Sequence, residues 1–122
     1  MINPNPYEVY KRNQVVTARP EELTLMLYNG GIKFLQQAKM AMKQNDIVKA
    51  NTLLIRTQDI LNELLITLNH DYEIANQLAP LYEYMKSRLV TANLKKDVTY
   101  VEEVEKMLAE LRDTWSQAMK QI

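Results

Sequence analysis

The sequence predicts an all-α fold, an antiparallel up-down four-helix bundle over residues 19–122 carrying an extended N-terminal arm over residues 1–18. Three observations lead there. Four stretches of about twenty residues each repeat apolar side chains at the helical period of ~3.6. Only two glycines and four prolines occur, and Pro4, Pro6 and Pro20 all fall in the first twenty residues, so the turn punctuation of an all-β chain is missing. The stretches are joined by loops of roughly two to five residues, which makes consecutive helices antiparallel neighbours. A chain of 122 residues, 47% of them apolar, is one domain with enough material for a core.

The arm, MINPNPYEVYKRNQVVTA, has two prolines, three asparagines and no helical stripe, so it is extended or irregular. It nevertheless carries Tyr7, Val9 and Tyr10. Helix one starts at Pro20, a residue suited to a first helical position, with Glu21 and Glu22 complementing the helix dipole, and runs to about Lys43. Asn45 and Asp46 signal the next start, giving helix two from Ile47 to about Asn69. Asn69-His70-Asp71 makes a polar break. Helix three covers Glu73 to Lys95, with Pro80 expected to kink or divide it. Lys95-Lys96-Asp97 closes it, Thr99 with Glu102 matches a capping box, and helix four runs to about Gln121.

Plotted on helical faces, the four segments differ. Helix four has one stripe, Val101, Val104, Leu108, Leu111, Trp115 and Ala118, and helix three a similar one of Ile74, Leu78, Leu81, Tyr82, Met85, Leu89 and Ala92. Tyr84, Val90 and Leu94 fall outside that face. Helix two has a broad stripe of Ala50, Leu53, Leu54, Ile60, Leu61, Leu64, Leu65 and Leu68, with Val48, Ile55 and Ile66 nearly opposite. Helix one shows a face of Leu23, Met26, Leu27, Phe34, Ala38 and Ala41, and Leu25, Tyr28 and Ile32 lie across from it. A bundle buries one stripe per helix. The surplus stripes therefore call for a cover: the arm, a second copy, or a partner helix.

Magnitudes bear on the arm. Burying Tyr7 and Tyr10 contributes roughly 4–6 kcal/mol each, while ordering ten residues of backbone costs roughly 10–20 kcal/mol. Such an arm docks marginally, and a competing partner can displace it.

Chemistry is hard to find. Fifteen basic residues balance fifteen acidic ones, so nothing draws the chain to nucleic acid or anionic lipid. Cysteine is absent, which excludes disulfides and thiolate sites. His70, the only histidine, stands in a break between helices, which suits a loop or cap rather than phosphotransfer, and no Glu-x-x-His pair supports a di-iron site. Glu102, Glu103 and Glu105 suit the start of helix four, Gly30-Gly31 suits close helix packing, and Lys95 and Lys96 read as solvated charges. The start has no apolar run of the signal-peptide kind, and no window could span a bilayer. The expectation is a cytoplasmic protein with no enzymatic activity, cofactor, metal, nucleic acid or membrane insertion.

Specific strings then carry a resemblance. Thr17-Ala18-Arg19-Pro20-Glu21-Glu22-Leu23, followed by Met26-Leu27-Tyr28-Asn29-Gly30, resembles the opening of the FliS family of flagellin export chaperones. Leu81-Tyr82-Glu83-Tyr84-Met85, then Arg88-Leu89, Ala92-Asn93 and Lys96-Asp97, fits the same pattern, as do Glu102-Glu103-Val104, Leu111-Arg112 and Trp115. Arg19 departs from it, standing where the family usually has a serine, which passes the helix-one cap to another residue such as Thr17. The resemblance implies a cytosolic chaperone that binds the disordered C-terminal segment of flagellin, prevents premature polymerisation and delivers it to the export gate of the flagellar secretion apparatus. It also implies that the arm, through Tyr7 and Tyr10, covers part of the apolar binding surface when flagellin is absent. Joined to the stripes, it nominates Tyr7, Tyr10, Val48, Ile55, Ile66, Tyr84 and Leu94 as partner-binding residues. The alternative is a helical adaptor that self-associates, as a homodimer, without a flagellin client.

Overall fold

The computed structural model describes residues 19–120, all helix and short connections. Four helices follow in order: α1 (Pro20–Lys43), α2 (Ile47–Ile66), α3 (Glu73–Lys95) and α4 (Val98–Met119). The pairs that pack are α1 with α2, α2 with α3, α3 with α4, and α4 with α1, which closes an up-down ring around one core. The arm, with Tyr7, Tyr10 and the candidate cap Thr17, lies outside the described residues.

Local chemistry explains most boundaries. Pro20 occupies the first helical position of α1, but Arg19 before it makes no side-chain cap. Asn45 sits at φ 58° in the tight α1–α2 turn, and the Asp46 carboxylate accepts from the Lys49 amide at 3.1 Å. Helix α2 ends at Ile66, three residues before the expected Asn69, and the Thr67 hydroxyl donates to the Leu64 carbonyl at 2.9 Å. The next residues turn on their own side chains, the Asn69 amide oxygen accepting from the Asp71 N–H. Pro80 does not divide α3. The helix runs unbroken through it, with Pro80 exposed so that its missing hydrogen bond falls where water can serve. Lys96 closes α3 in the left-handed region at φ 52°. The cap of α4 is Asp97, accepting from the Thr99 N–H at 2.9 Å, and not Thr99, which lies inside the first turn.

The core is built from Leu35 and Ala38 of α1, Leu54, Leu61 and Leu64 of α2, Met85 and Leu89 of α3, and Val101, Val104 and Leu108 of α4. Each fully buried leucine contributes roughly 1.5–3 kcal/mol. Tyr28 and Tyr82 are buried among them, and Thr57 satisfies its hydroxyl on the Leu53 carbonyl at 2.9 Å. The α1 expectation needs correction. Tyr28 and Ile32 belong to the core, whereas Leu23, Met26, Leu27 and Phe34 are half-buried. The buried face is centred on Gly31, where an added Cβ would stand 3.1 Å from Leu108 Cδ1. Helix α1 approaches both α2 and α4 there, so its buried arc is wide and no surplus stripe is left. On α3, Ala75 is buried, while Ile74 and Leu81, expected in the core, are exposed.

Candidate functional site

Exposed large apolar side chains are distributed unevenly. Among the described residues, all of them but Met40, Tyr72 and Val98 lie on α2 or α3. On α2 they are Ile47, Val48, Ile55 and Ile66, and on α3 Ile74, Leu81, Tyr84, Val90 and Leu94. Val48 is 78% exposed, Ile66 74% and Leu94 82%, values at which a side chain has almost no intramolecular partner.

Val48, Ile55 and Ile66 form a single row. Seven and eleven residues separate them, which are near-whole numbers of turns at ~3.6 residues each. The row is about 27 Å long. It points away from the core face of Leu54, Leu61 and Leu64, with Asp59 and Asn62 between Ile55 and Ile66. Because α2 and α3 are antiparallel neighbours, the Leu94 end of α3 lies beside the Val48 end of α2. Both helices thus carry apolar side chains that the core does not cover.

Tyr84 is placed differently. Its hydroxyl donates to Glu103 Oε2 at 2.6 Å, and Glu103 belongs to α4. Arg88 Nε donates to Glu103 Oε1 at 2.6 Å, and its guanidinium lies 4.2 Å from the Tyr100 ring centroid and 5.7 Å from that of Tyr84. The phenol and guanidinium together hold the Glu103 carboxyl below its ordinary range, and the bond to Glu103 raises the Tyr84 phenol. Tyr84 is therefore held on the α4 flank of α3, apart from the row on α2. Reading Glu103 only as a dipole partner missed this clasp. Its signal in sequence was the i, i+4 pair Tyr84–Arg88 on one face of a helix.

A second feature occupies the bundle end where α1 and α3 begin and α2 and α4 finish. A cavity of about 560 Å³ opens there between Pro20, Glu21, Leu64, Leu68, Leu78 and Trp115, with Tyr28 and Tyr82 on its inner wall. The two phenols hydrogen-bond at 2.5 Å, and burial raises both above the ordinary phenol value. Trp115 Nε1 donates to the Glu21 carbonyl at 2.9 Å, tying the end of α4 to the start of α1. Helical periodicity gives Trp115 a place on the core stripe but carries no signal of a cavity at the helix ends.

His70 Nδ1 lies 3.5 Å from Asn76 Oδ1 in the exposed α2–α3 loop. Among the described residues no group of His, Cys, Asp and Glu is arranged to hold a metal ion, and no helix is long and apolar enough to cross a membrane.

Comparison with known proteins supplies a context. Residues 3–122 match the family model described as flagellar protein FliS. A flagellar secretion chaperone FliS of Bacillus subtilis is 45% identical over 116 residues, covering 95% of this chain and 87% of its own length. The chaperone of the same name from Salmonella typhimurium is 34% identical, covering 90% of this chain and 84% of its own. A crystal structure of a bacterial flagellar chaperone superposes with a TM-score of 0.79 over 97% of this chain and all of its own, at 19% identity, and so agrees in fold.

Proposed function

The chain belongs to the FliS family of flagellar proteins, and from that membership we propose that it is a non-enzymatic chaperone of flagellar export whose client is the C-terminal segment of flagellin. The chaperone role in flagellar secretion follows the named relatives. The finer reading, flagellin held at the α2–α3 face and delivered to the export gate from the cytosol, is our own.

The observation that carries it is the concentration of exposed apolar side chains on α2 and α3 among the described residues. A row of Val48, Ile55 and Ile66 along one helix suits a partner helix lying lengthwise on α2, with Leu94 extending the contact onto α3. A client segment that is disordered when free orders on contact, and the apolar area it buries drives the association against that ordering. Covering these side chains in the client would also hide them from filament contacts, which is how binding would forestall polymerisation. In this reading Tyr7 and Tyr10 of the arm compete for the same surface, and Tyr84 contributes its ring edge at the margin of the contact.

Alanine at Ile55 and Ile66 tests the placement. Both are exposed, so folding stability should stay within about 0.5 kcal/mol. Affinity for a flagellin C-terminal peptide should fall at least about tenfold. Unchanged affinity in the double variant would remove the client from this face of α2.

A further inference from the structure

The two ends of the bundle differ in charge. The cavity beside Trp115 is lined by Glu21 and by no Lys, Arg or His. At the opposite end, where α1 and α3 finish and α4 begins, an open cleft of about 750 Å³ lies among Lys39, Lys43, Lys95 and Lys96, with Met42 and Val98 as its apolar floor. Asp97 and Glu102 complete the lining. Helix α2 contributes nothing to it, so the cleft is separate from the row of Val48, Ile55 and Ile66.

Most of the polar groups at this end are already engaged. Glu105 holds Lys39 at 2.5 Å, and the Asp97 carboxylate accepts from the Thr99 N–H. Lys96 Nζ donates to the carbonyl and the side-chain oxygen of Asn93. Lys43 and Lys95 are exposed and have no carboxylate partner among the described residues, and the Lys95 ammonium lies 5.7 Å from the Tyr100 ring centroid. Against them stands Glu102, also without an ion pair among the described residues. Lysine charge is therefore in excess around the apolar floor.

We propose that this cleft docks an acidic segment of a partner protein, with carboxylates on Lys43 and Lys95 and an apolar side chain between them on Met42 and Val98. Charge complementarity sets the class of partner, since the free ammonium groups attract carboxylates and repel basic segments. The apolar floor favours a peptide over a phosphate backbone, which has no apolar group to place there. Exposed lysines on long stems make such a contact weak, quickly exchanging and sensitive to salt. Because α2 takes no part, the cleft can be filled with the outward row free or covered. It is independent of whether flagellin is the client.

The test is a titration of the full chain, labelled with nitrogen-15, with a capped peptide carrying two glutamates on either side of a leucine. Amide shifts should move at Met42, Lys43, Lys95, Lys96, Val98 and Glu102, and most of the change should vanish in about 0.3 M salt. The exposed pair Lys43→Glu with Lys95→Glu should weaken binding at least about fivefold at unchanged helicity. The same peptide with lysine in place of each glutamate should move none of these amides. Silence at the cleft, or shifts confined to Val48, Ile55 and Ile66, would overturn the proposal. So would equal binding of the lysine peptide, or undiminished affinity in the folded double variant.

Discussion

Tyr28 of α1 and Tyr82 of α3 meet hydroxyl to hydroxyl at 2.5 Å, with ring centroids 6.5 Å apart, on two helices that are not packed neighbours in the ring. The bond crosses the bundle and fixes which part of α3 faces which part of α1. A buried hydroxyl left without its partner is penalised by about 1–3 kcal/mol, whereas removing both can be nearly neutral. Tyr28→Phe and Tyr82→Phe should each lower unfolding stability by that amount, and the double substitution by less than the sum of the two. Denaturant unfolding of the three variants measures the coupling. Periodicity could not show this pair: it set Tyr28 on the far side of helix one because the leucines and methionines there outweigh it. The small residues held the better signal. Gly31, Ala38 and Ala41 lie on the buried face of α1, with the close approach to its neighbours at Gly31, and Tyr28 and Ile32 belong to the same face.

Helices α3 and α4 are joined outside the core by the clasp of Tyr84, Arg88 and Glu103. The fold holds the Glu103 carboxyl below its ordinary range, chiefly through the Tyr84 hydroxyl and then through Arg88. In the unfolded chain that carboxyl returns to its ordinary value, so the unfolded state takes up the proton first as pH falls. The contribution of the clasp is therefore complete above the ordinary carboxylate range and is lost as pH drops through the folded value. Asp97, lowered by the Thr99 N–H it caps, acts in the same direction. Glu103→Gln should accordingly make stability fall less steeply on acidification, with the slope from Asp97 remaining. Thermal unfolding of both proteins across the acid range measures it. An equally steep loss in the variant would mean that the clasp contributes nothing. At this scale most of the sequence reading stands: three of the four helix starts, at Pro20, Ile47 and Glu73, coincide with those expected. The exceptions have physical causes. Asp97 outcompetes Thr99 as cap because its carboxylate reaches the Thr99 amide, and α2 stops early because Thr67 and Asn69 bond to nearby backbone.

At the scale of the whole bundle, most of the exposed large apolar side chains among the described residues lie on α2 and α3. Val48, Ile55 and Ile66 were legible as a second stripe because α2 is apolar on two opposed faces, and Leu94 because it breaks the polar side of α3. Which of these share a surface was not legible, since that depends on how each helix is rotated in the ring. The bond from Tyr84 to Glu103 turns Tyr84 toward α4, and Ile74 and Leu81 are exposed because Ala75 takes the inward position on α3. Family membership, recognisable in the ordered strings from Thr17 to Trp115, places the chain among flagellar secretion chaperones, and the use of these side chains for the client is our proposal. The most direct measurement is a calorimetric titration of the full chain with a peptide spanning the C-terminal helices of flagellin, run at several temperatures. A one-to-one complex with a large negative heat-capacity change is predicted, since the exposed row would be buried as the peptide folds. No binding by the folded protein, with only a concentration-dependent dimer of its own, would contradict the account and make the apolar side a self-association surface.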